Sequence, residues 1–190
     1  TGIRERRIAR SDEKLSDFAI RAANDAMREA GVTAADLDGI IFATVTPDRR
    51  LPAIACDVQA LLGAERAWAF DVVAACPGWM YAMTVAEGMM ATGQGDTILV
   101  IGGEKLSTIT DKDDRSTVIL FGDGAGAAVL RRNEPGDDRG ILATYLGADG
   151  DLAELLYIPG GGAAEPLSED VLRDKRHLMR MAGREVFKAA

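Results

Sequence analysis

Apolar residues recur every three to four positions over residues 11–30, which is the spacing of an amphipathic helix. Ser11 is the expected N-cap of this helix and Gly31 its stop. At residue 39 the pattern changes to the continuous apolar run GIIFATV, over residues 39–45. Such a run is typical of a strand that is buried on both faces.

Helical and strand patterns continue to alternate after this first strand. The expected elements are a helix over 52–62, a strand over 67–72, a helix over 77–91 and a strand over 96–104. The helix over 77–91 is apolar nearly all round, which predicts a buried, central helix. Regular alternation of this kind favours an α/β fold with a layered sheet.

The alternation stops after residue 104. Two strand patterns, over 118–132 and 140–149, follow one another with no helix between them. Further on, residues 157–170 are rich in glycine and proline, which predicts a mobile loop. The chain therefore adds a pair of strands to its α/β part.

Composition narrows the classes of function. The 190 residues are 47% hydrophobic and carry a net charge of −8, which argues against non-specific binding to nucleic acid. No apolar run approaches the roughly 20 residues needed to cross a bilayer, and the N-terminus lacks a signal-peptide pattern. Two cysteines fit a reducing compartment better than a disulfide scaffold. We therefore expect a cytoplasmic protein without a membrane or nucleic-acid partner.

Cys76 is the strongest candidate for chemistry. It lies in DVVAACPGWMYAM, between an expected strand and an expected helix. The positive end of a helix dipole stabilises a thiolate, Pro77 suits a first helical position, and Gly78 leaves room for a substrate. A small apolar core residue is the alternative for Cys76, and these neighbours alone leave both alternatives open. Cys56 lies inside a helix pattern, where core packing is the better interpretation.

The remaining patterns carry less chemistry. The glycines of FGDGAG, residues 121–126, run into a strand pattern instead of opening a helix, so we expect a tight bend and no phosphate loop. His177 is the only histidine and stands among charged residues, which favours a surface position. No Cys, His or Asp cluster has metal spacing, so no metal site and no cofactor is expected.

Four motifs occur together and in order: TGIRERRIA, DVVAACPGWMYAM, DRSTVILFGDGAGAAVL and MAGREVFKAA. Together they resemble β-ketoacyl-acyl carrier protein synthase III, a condensing enzyme that starts type II fatty acid synthesis. The resemblance covers essentially all 190 residues and about the first half of such an enzyme. It implies a chain that is truncated at both ends.

This resemblance implies the thiolase-like fold, in which two similar halves stack as αβαβα layers, normally in a homodimer. In the family, a cysteine at the start of a buried helix accepts an acyl group from acyl-CoA, which is a substrate and not a cofactor. Malonyl-acyl carrier protein then decarboxylates and its carbanion attacks the thioester. Cys76 matches that cysteine. The family's histidine and asparagine belong to the second half, and His177 matches neither.

Further positions carry over from the resemblance one at a time. Arg115 matches an arginine that contacts the adenine end of coenzyme A. Leu51 matches a residue that crosses the dimer interface to the end of the partner's acyl pocket. The acyl pocket itself maps to Leu106, Phe121, Leu156 and Met181.

Departures from the family pattern leave alternatives open. Pro77 and Trp79 replace the small residue and the phenylalanine that are common there, and nothing in the sequence explains them. Leu51 stands where enzymes for acetyl primers often have phenylalanine, which points to a longer or branched primer. The alternatives are a related ketosynthase or acyltransferase of polyketide or other secondary metabolism, and a non-catalytic homologue with a merely buried Cys76.

Overall fold

The structure is a computed structural model that describes residues 2–134, 136–137 and 139–189. It divides into two compact units. We call the first the sheet unit, which comprises residues 9–104 and 124–146. The second unit comprises the described residues of 1–8, 105–123 and 147–190.

A four-stranded sheet organises the sheet unit. In chain order its elements are α1 (Leu15–Ala30), β1 (Gly39–Ala43), α2 (Ile54–Leu62), β2 (Trp68–Val72), α3 (Gly78–Ala91), β3 (Thr97–Lys105) and β4 (Asp123–Arg131). The strand order is β2-β1-β3-β4, and β1 pairs in parallel with both β2 and β3. The Arg132 N–H, just after β4, donates to the Asp96 carbonyl just before β3, at 2.9 Å, so these two strands are antiparallel.

The core forms on both faces of β1, as its continuous apolar run predicted. Ile40 and Phe42 pack with α1 and α2 on one face. Ile41 and Ala43 pack with α3 on the other. All five residues of the strand are buried, so the sheet unit has three layers, helix, sheet and helix, which confirms the expected α/β class.

Two helices begin later than the sequence predicts, and carboxylates from distant residues accept N–H groups of their first turns. Ser11 was the expected cap of α1, but this helix begins at Leu15. The Asp48 carboxylate accepts the N–H groups of Leu15 and Ser16, at 2.8 and 3.3 Å. These N–H groups have no partner inside the helix, so a remote carboxylate can fix where the helix starts. Similarly, α2 begins at Ile54, two residues later than predicted.

Helix α3 is less buried than predicted. Its apolar sequence indicated burial all round, but only Gly78, Ala82 and Ala86 are buried. Met80 is 56% exposed. In the described part of the chain the sheet covers one face of this helix, and its opposite apolar face stays open.

The second unit contains short elements. They are α4 (Arg115–Val118), β5 (Leu156–Tyr157), α5 (Glu169–Arg173), β6 (Arg180–Met181) and α6 (Gly183–Ala189), and β5 pairs with β6 in antiparallel fashion. The strand predicted over 118–132 begins only at Asp123, because residue 118 belongs to the helical turn α4. The prediction of a strand over 140–149 was wrong: within the described residues this segment joins no sheet. Its Leu142 and Tyr145 side chains are exposed, so no packing holds the segment in a ladder.

The segment over residues 157–170 is held by specific contacts within the second unit. The Gly160 N–H donates to the Arg176 carbonyl, and the Gly161 N–H donates to the Glu165 carbonyl, both at 2.7 Å. The Glu165 carboxylate also pairs with the Arg176 guanidinium at 2.9 Å. These contacts define one conformation of the segment, and the predicted mobility stays a prediction.

Candidate functional site

Cys76 lies in a tight turn between β2 and α3, at the carboxyl end of a parallel strand. The residue before it, Ala75, has a positive φ of 48°, which L-residues rarely adopt. The Gly78 N–H donates to the Ala75 carbonyl at 2.8 Å and closes the turn. Cys76 is a free cysteine, and the residue is exposed in this chain.

The start of α3 supports this turn. Pro77 is the N-cap of the helix, one position before the expected one, and Gly78 is its first residue. A Cβ at Gly78 would lie 3.3 Å from the Cβ of Ala43, so this close approach of helix to β1 needs a small residue. With 14 residues, α3 is long enough for its dipole to favour negative charge at the cysteine turn.

Trp79 also has a structural role, which the sequence did not reveal. Its ring lies over Gly102 of β3, where a Cβ would approach ring atom Cε3 to 3.1 Å. The glycine therefore leaves space for the indole, and the indole packs the first turn of α3 against the sheet. Pro77 and Trp79 are thus explained as parts of the scaffold around Cys76.

Leu51 lies at the tip of the loop that joins β1 to α2. Its side chain is 84% exposed, and a cis peptide bond joins it to Pro52. The neighbouring Arg49 forms an ion pair with Asp57 in α2. The hydrogen bond to that carboxylate raises the pKa of Arg49.

Arg115 opens α4 in the second unit and is exposed. The preceding residue, Asp114, caps this helix by accepting the Ser116 N–H at 2.9 Å. Hydrogen bonds from the Ser116 hydroxyl and N–H and from the Thr117 hydroxyl hold the pKa of Asp114 below its usual range. The Phe121 N–H donates to the Thr117 carbonyl at 3.2 Å, so the turn of α4 also fixes the backbone position of Phe121.

The other predicted pocket residues also belong to the second unit. Leu156 and Met181 are direct partners in the β5–β6 ladder. Leu106 starts a single turn of 3₁₀ helix, and its carbonyl accepts the Thr110 hydroxyl at 2.7 Å. Leu106, Leu156 and Met181 are all partly buried. The structure thus brings two of the predicted pocket residues into contact.

A depression of about 200 Å³ lies beside Met181. Its wall is mainly polar and includes Asp111, Asp114, Lys175 and Arg180. The ammonium group of Lys175 lies 2.9 Å from the Asp111 carboxylate and also pairs with Asp113, contacts that raise its pKa. Lys175 is therefore already paired with carboxylates at the wall of this depression.

The predicted site residues fall into both units. Cys76 and Leu51 belong to the sheet unit, whereas Arg115, Leu106, Phe121, Leu156 and Met181 belong to the second unit. Each is placed by its own local structure, and their joint action in one site stays a prediction.

The remaining candidates have local roles. The sulfur of Cys56 lies 3.7 Å from the Ala69 carbonyl of β2, a weak contact inside the fold. The Nδ1 atom of His177 lies 3.5 Å from the Val171 carbonyl within the second unit. Across the described residues, no group of three His, Cys, Asp or Glu side chains is placed to hold a metal ion. Nor does any helix of the described ranges have both the length and the apolar character to span a bilayer.

Two carboxylates at strand ends have structural roles that the sequence pattern does not predict. Glu104 accepts hydrogen bonds from the segment after β1, including the Val45 N–H at 2.9 Å. Asp71 of β2 accepts the N–H groups of Ile54 and Ala55 at the start of α2, both at 2.9 Å. The signal was present as acidic residues at the ends of apolar strands, but their partners are distant in sequence.

The family model and the sequence relatives that match this chain describe the same type of enzyme. The family model for 3-oxoacyl-[acyl-carrier-protein] synthase III matches residues 70–150. β-Ketoacyl-[acyl-carrier-protein] synthase III of Symbiobacterium thermophilum is 53% identical over the whole chain, and the chain covers 57% of that protein. The protein of the same name from Clostridioides difficile is 45% identical, with the same coverage. The chain thus spans little more than half the length of these relatives.

Solved structures agree with the sequence relatives. Crystalline 3-oxoacyl-[acyl-carrier-protein] synthase III from Aquifex aeolicus superposes with a TM-score of 0.87 at 46% identity, covering all of this chain and 56% of that one. The priming β-ketosynthase of the R1128 polyketide pathway superposes with a TM-score of 0.86 at 34% identity, covering 99% of this chain and 55% of that one. The expected thiolase-like fold is therefore confirmed for the part of the fold that this chain spans.

Proposed function

Because the chain belongs to the β-ketoacyl-acyl carrier protein synthase III family, of whose members it spans the N-terminal half, we propose that it carries the acyl-accepting half of a condensing enzyme. Its reaction joins an acyl-CoA primer to malonyl-acyl carrier protein and yields a 3-oxoacyl-acyl carrier protein. This is the first condensation of type II fatty acid synthesis.

The observation that supports this proposal most directly is the position of Cys76. A free, exposed thiol follows a parallel strand and precedes a 14-residue helix. Its sulfur attacks the thioester carbonyl of acyl-CoA, the carbonyl bond to the coenzyme sulfur breaks, and coenzyme A leaves as the thiol with the cysteine's proton. The positive end of the α3 dipole lies at the cysteine turn, and the Cys76 N–H is one donor for the oxyanion.

The second step uses groups beyond these 190 residues. Malonyl-acyl carrier protein loses carbon dioxide, and the resulting carbanion attacks the acyl carbon on Cys76. The carbon–sulfur bond to the cysteine then breaks, the sulfur leaves as a thiolate that takes a proton from water, and the product is released. We assign the decarboxylation to a histidine and an asparagine in the part of the relatives that this chain does not span.

Binding roles are proposed for the six other predicted positions. Arg115 contacts the adenine end of coenzyme A from an exposed helix start. The acyl chain lies against Leu106, Phe121, Leu156 and Met181. Leu51 closes the end of the partner's pocket in a homodimer, a role consistent with its 84% exposure in the single chain. We place the protein in the cytoplasm, where acyl-CoA and the carrier protein are available as partners.

A condensation assay tests this proposal. The complete gene product is incubated with malonyl-acyl carrier protein and acyl-CoA primers of two to eight carbons, and 3-oxoacyl product is measured. We expect product from the complete protein and none from the 190-residue chain alone, because half of the catalytic groups are absent. Product from the isolated chain contradicts this division of the site. No product and no acyl-enzyme from the complete protein favour a non-catalytic homologue.

A second candidate is a priming ketosynthase of polyketide metabolism. Its support is the superposition on the R1128 priming β-ketosynthase, which is as close as that on several fatty acid enzymes. The departures at Pro77 and Trp79 do not favour it, because both residues have structural roles. The same primer panel separates the two candidates by the primer and carrier protein that the enzyme prefers.

A further inference from the structure

The loop between β1 and α2, residues 44–53, is anchored to the sheet far more firmly than its exposed tip suggests. We call it the Leu51 loop. Leu51 is 84% exposed, yet Thr44 and Thr46 at the start of the loop are only 2% and 8% exposed. The residues just after the loop, Ile54 and Ala55, are fully buried. The two ends of the loop are therefore buried, while the Leu51 side chain at its tip is exposed.

Glu104, near the end of β3, holds the first end. One carboxylate oxygen accepts the Val45 N–H at 2.9 Å. The other accepts the Thr44 hydroxyl at 3.2 Å and the Thr46 hydroxyl through a short hydrogen bond. The Thr44 N–H also donates to the Val72 carbonyl, which extends the β1–β2 ladder into the loop. Three donors that converge on one carboxyl group make this a strong anchor.

Asp71 of β2 holds the second end. Its two oxygens accept the N–H groups of Ile54 and Ala55, each at 2.9 Å. These are unpaired donors of the first turn of α2, and a carboxylate there also satisfies the helix dipole. Burial raises the pKa of Asp71, so the fold accepts a desolvation cost to keep a carboxyl group at this point. Asp71 stands five residues before Cys76, on the strand that leads to it.

A third anchor lies within the loop. The Asp48 carboxylate accepts the Leu15 and Ser16 N–H groups at the start of α1. The next residue, Arg49, pairs with Asp57 of α2. Carboxylate contacts thus fix the loop before, within and after its bend, and the position of Leu51 relative to the cysteine strand is predetermined.

We propose that Asp71 and Glu104 are positioning residues that set the depth of Leu51 in the partner's acyl pocket and thereby the length of primer accepted. This inference rests on the proposed function of Leu51. The carboxylates act through the loop and touch neither the acyl chain nor the thiol. A neutral amide at either site has one acceptor oxygen, so it cannot reproduce bonds made to both oxygens.

The test compares Asp71→Asn and Glu104→Gln with wild type in the complete gene product. Acyl transfer to Cys76 is measured by intact mass, with acyl-CoA primers of two, four, six and eight carbons. The readout is the ratio of the second-order rate constants of Cys76 acylation between long and short primers. This ratio does not depend on the fraction of folded enzyme, so simple destabilisation leaves it unchanged.

Asp38→Asn is the control for the same substitution at a site remote from the loop. One oxygen of its carboxylate, Oδ2, accepts two N–H groups, from Asp96 and Thr97, at the opposite end of the same sheet. Leu51→Ala is the positive control, because it shortens the side chain itself. Hydrogen exchange over residues 45–55 reports directly on the anchors, even where a variant loses activity.

We expect the long-to-short ratio to change by about threefold to tenfold in Asp71→Asn and Glu104→Gln, since one methylene in an apolar pocket alters selectivity by at least that factor. The ratio stays at the wild-type value in Asp38→Asn, and exchange over 45–55 accelerates only in the first two variants. An unchanged ratio beside a shifted Leu51→Ala ratio overturns the positioning role and leaves the function of Leu51 intact. An unchanged ratio in all variants overturns both. Failure of Cys76 to be acylated at all refutes the proposed function instead.

Discussion

Gly39 at the start of β1 provides a quantitative test of how the sheet packs. A Cβ at this residue would lie 2.2 Å from ring atom Cζ2 of Trp68, on the neighbouring strand. The indole must then move, and it has two specific contacts to lose. Its Nε1–H donates to the Gln94 carbonyl at 2.8 Å, and its ring stacks on Phe70 with a centroid distance of 5.6 Å. Each contact is worth about 1 kcal/mol, so Gly39→Ala loses about 2 kcal/mol.

Gly124→Ala is the matched control for this change. Gly124 also lies in a strand, but a Cβ there meets no atom within 4 Å. Both variants gain the same stabilisation, about 0.4–1 kcal/mol, because alanine restricts the unfolded chain more than glycine does. The difference between the two variants therefore isolates the displacement of the Trp68 ring.

Urea and thermal unfolding, followed by far-UV circular dichroism, measure this difference. We expect Gly39→Ala to melt about 4–8 °C below Gly124→Ala, the shift that about 2 kcal/mol causes in a domain of this size. In a Trp68→Ala background the cost of Gly39→Ala disappears, because the obstructing ring is gone. Equal midpoints for the two single variants, or an equal cost in both backgrounds, refute the close packing of the Trp68 ring over Gly39.

Three further predictions concern the cap of α4, the buried face of α3 and the cysteine turn. Asp114→Asn lowers the melting temperature at pH 7. Since the folded-state pKa of Asp114 is depressed, its stabilisation is present above the unfolded value of about 3.9 and is lost as pH falls through the folded value. Melting scans of both proteins should therefore converge below pH 4, and a constant gap contradicts the assignment. Ala86→Leu overpacks a fully buried position and lowers the free energy of unfolding in urea by about 1–3 kcal/mol. Glu87→Leu, at the neighbouring exposed position, changes stability little. Similar effects of the two substitutions would mean that α3 packs on the sheet through a different face. Ala75→Val places a β-branched residue at a positive φ and lowers stability by about 1–2 kcal/mol relative to Ala75→Gly, and equal stability of this pair argues against the turn described.

The strands were predictable where burial on both faces leaves a continuous apolar run. The run over residues 39–45 and the later run over 96–104 became β1 and β3 within two residues at each end. The run over 140–149 looked similar but stays outside any sheet, since Leu142 and Tyr145 find no packing among the described residues. Apolar pattern alone does not reveal whether a partner strand is within reach.

Helix starts and anchors were less predictable because they depend on contacts distant in sequence. Asp48 caps α1 from 33 residues away, and Asp71 caps α2 from 17 residues away. Rules that consider only neighbouring residues do not include these contacts, and both helices were predicted to begin too early. For the same reason Glu104 looked like the polar end of a strand, whereas its carboxylate organises the Leu51 loop.

Cys76 itself was predictable from its strand-to-helix position and from the motifs around it. The roles of Pro77 and Trp79 were not, because they depend on the cap geometry of α3 and on the space above Gly102. The position of the thiol can therefore be predicted from the sequence, whereas the packing around it depends on tertiary contacts.

The most direct test of the account is to determine which cysteine accepts an acyl group. The complete gene product is incubated with acyl-CoA, and intact mass and peptide mass are compared for wild type, Cys56→Ser and Cys76→Ser. Cys56 is the natural control, since it is the only other cysteine of these 190 residues and lies inside α2. We predict one acyl group on wild type and on Cys56→Ser, located on the peptide with Cys76, and none on Cys76→Ser. An acyl group that survives in Cys76→Ser, or no acyl group on any of the three proteins, contradicts the assignment of Cys76 as the nucleophile.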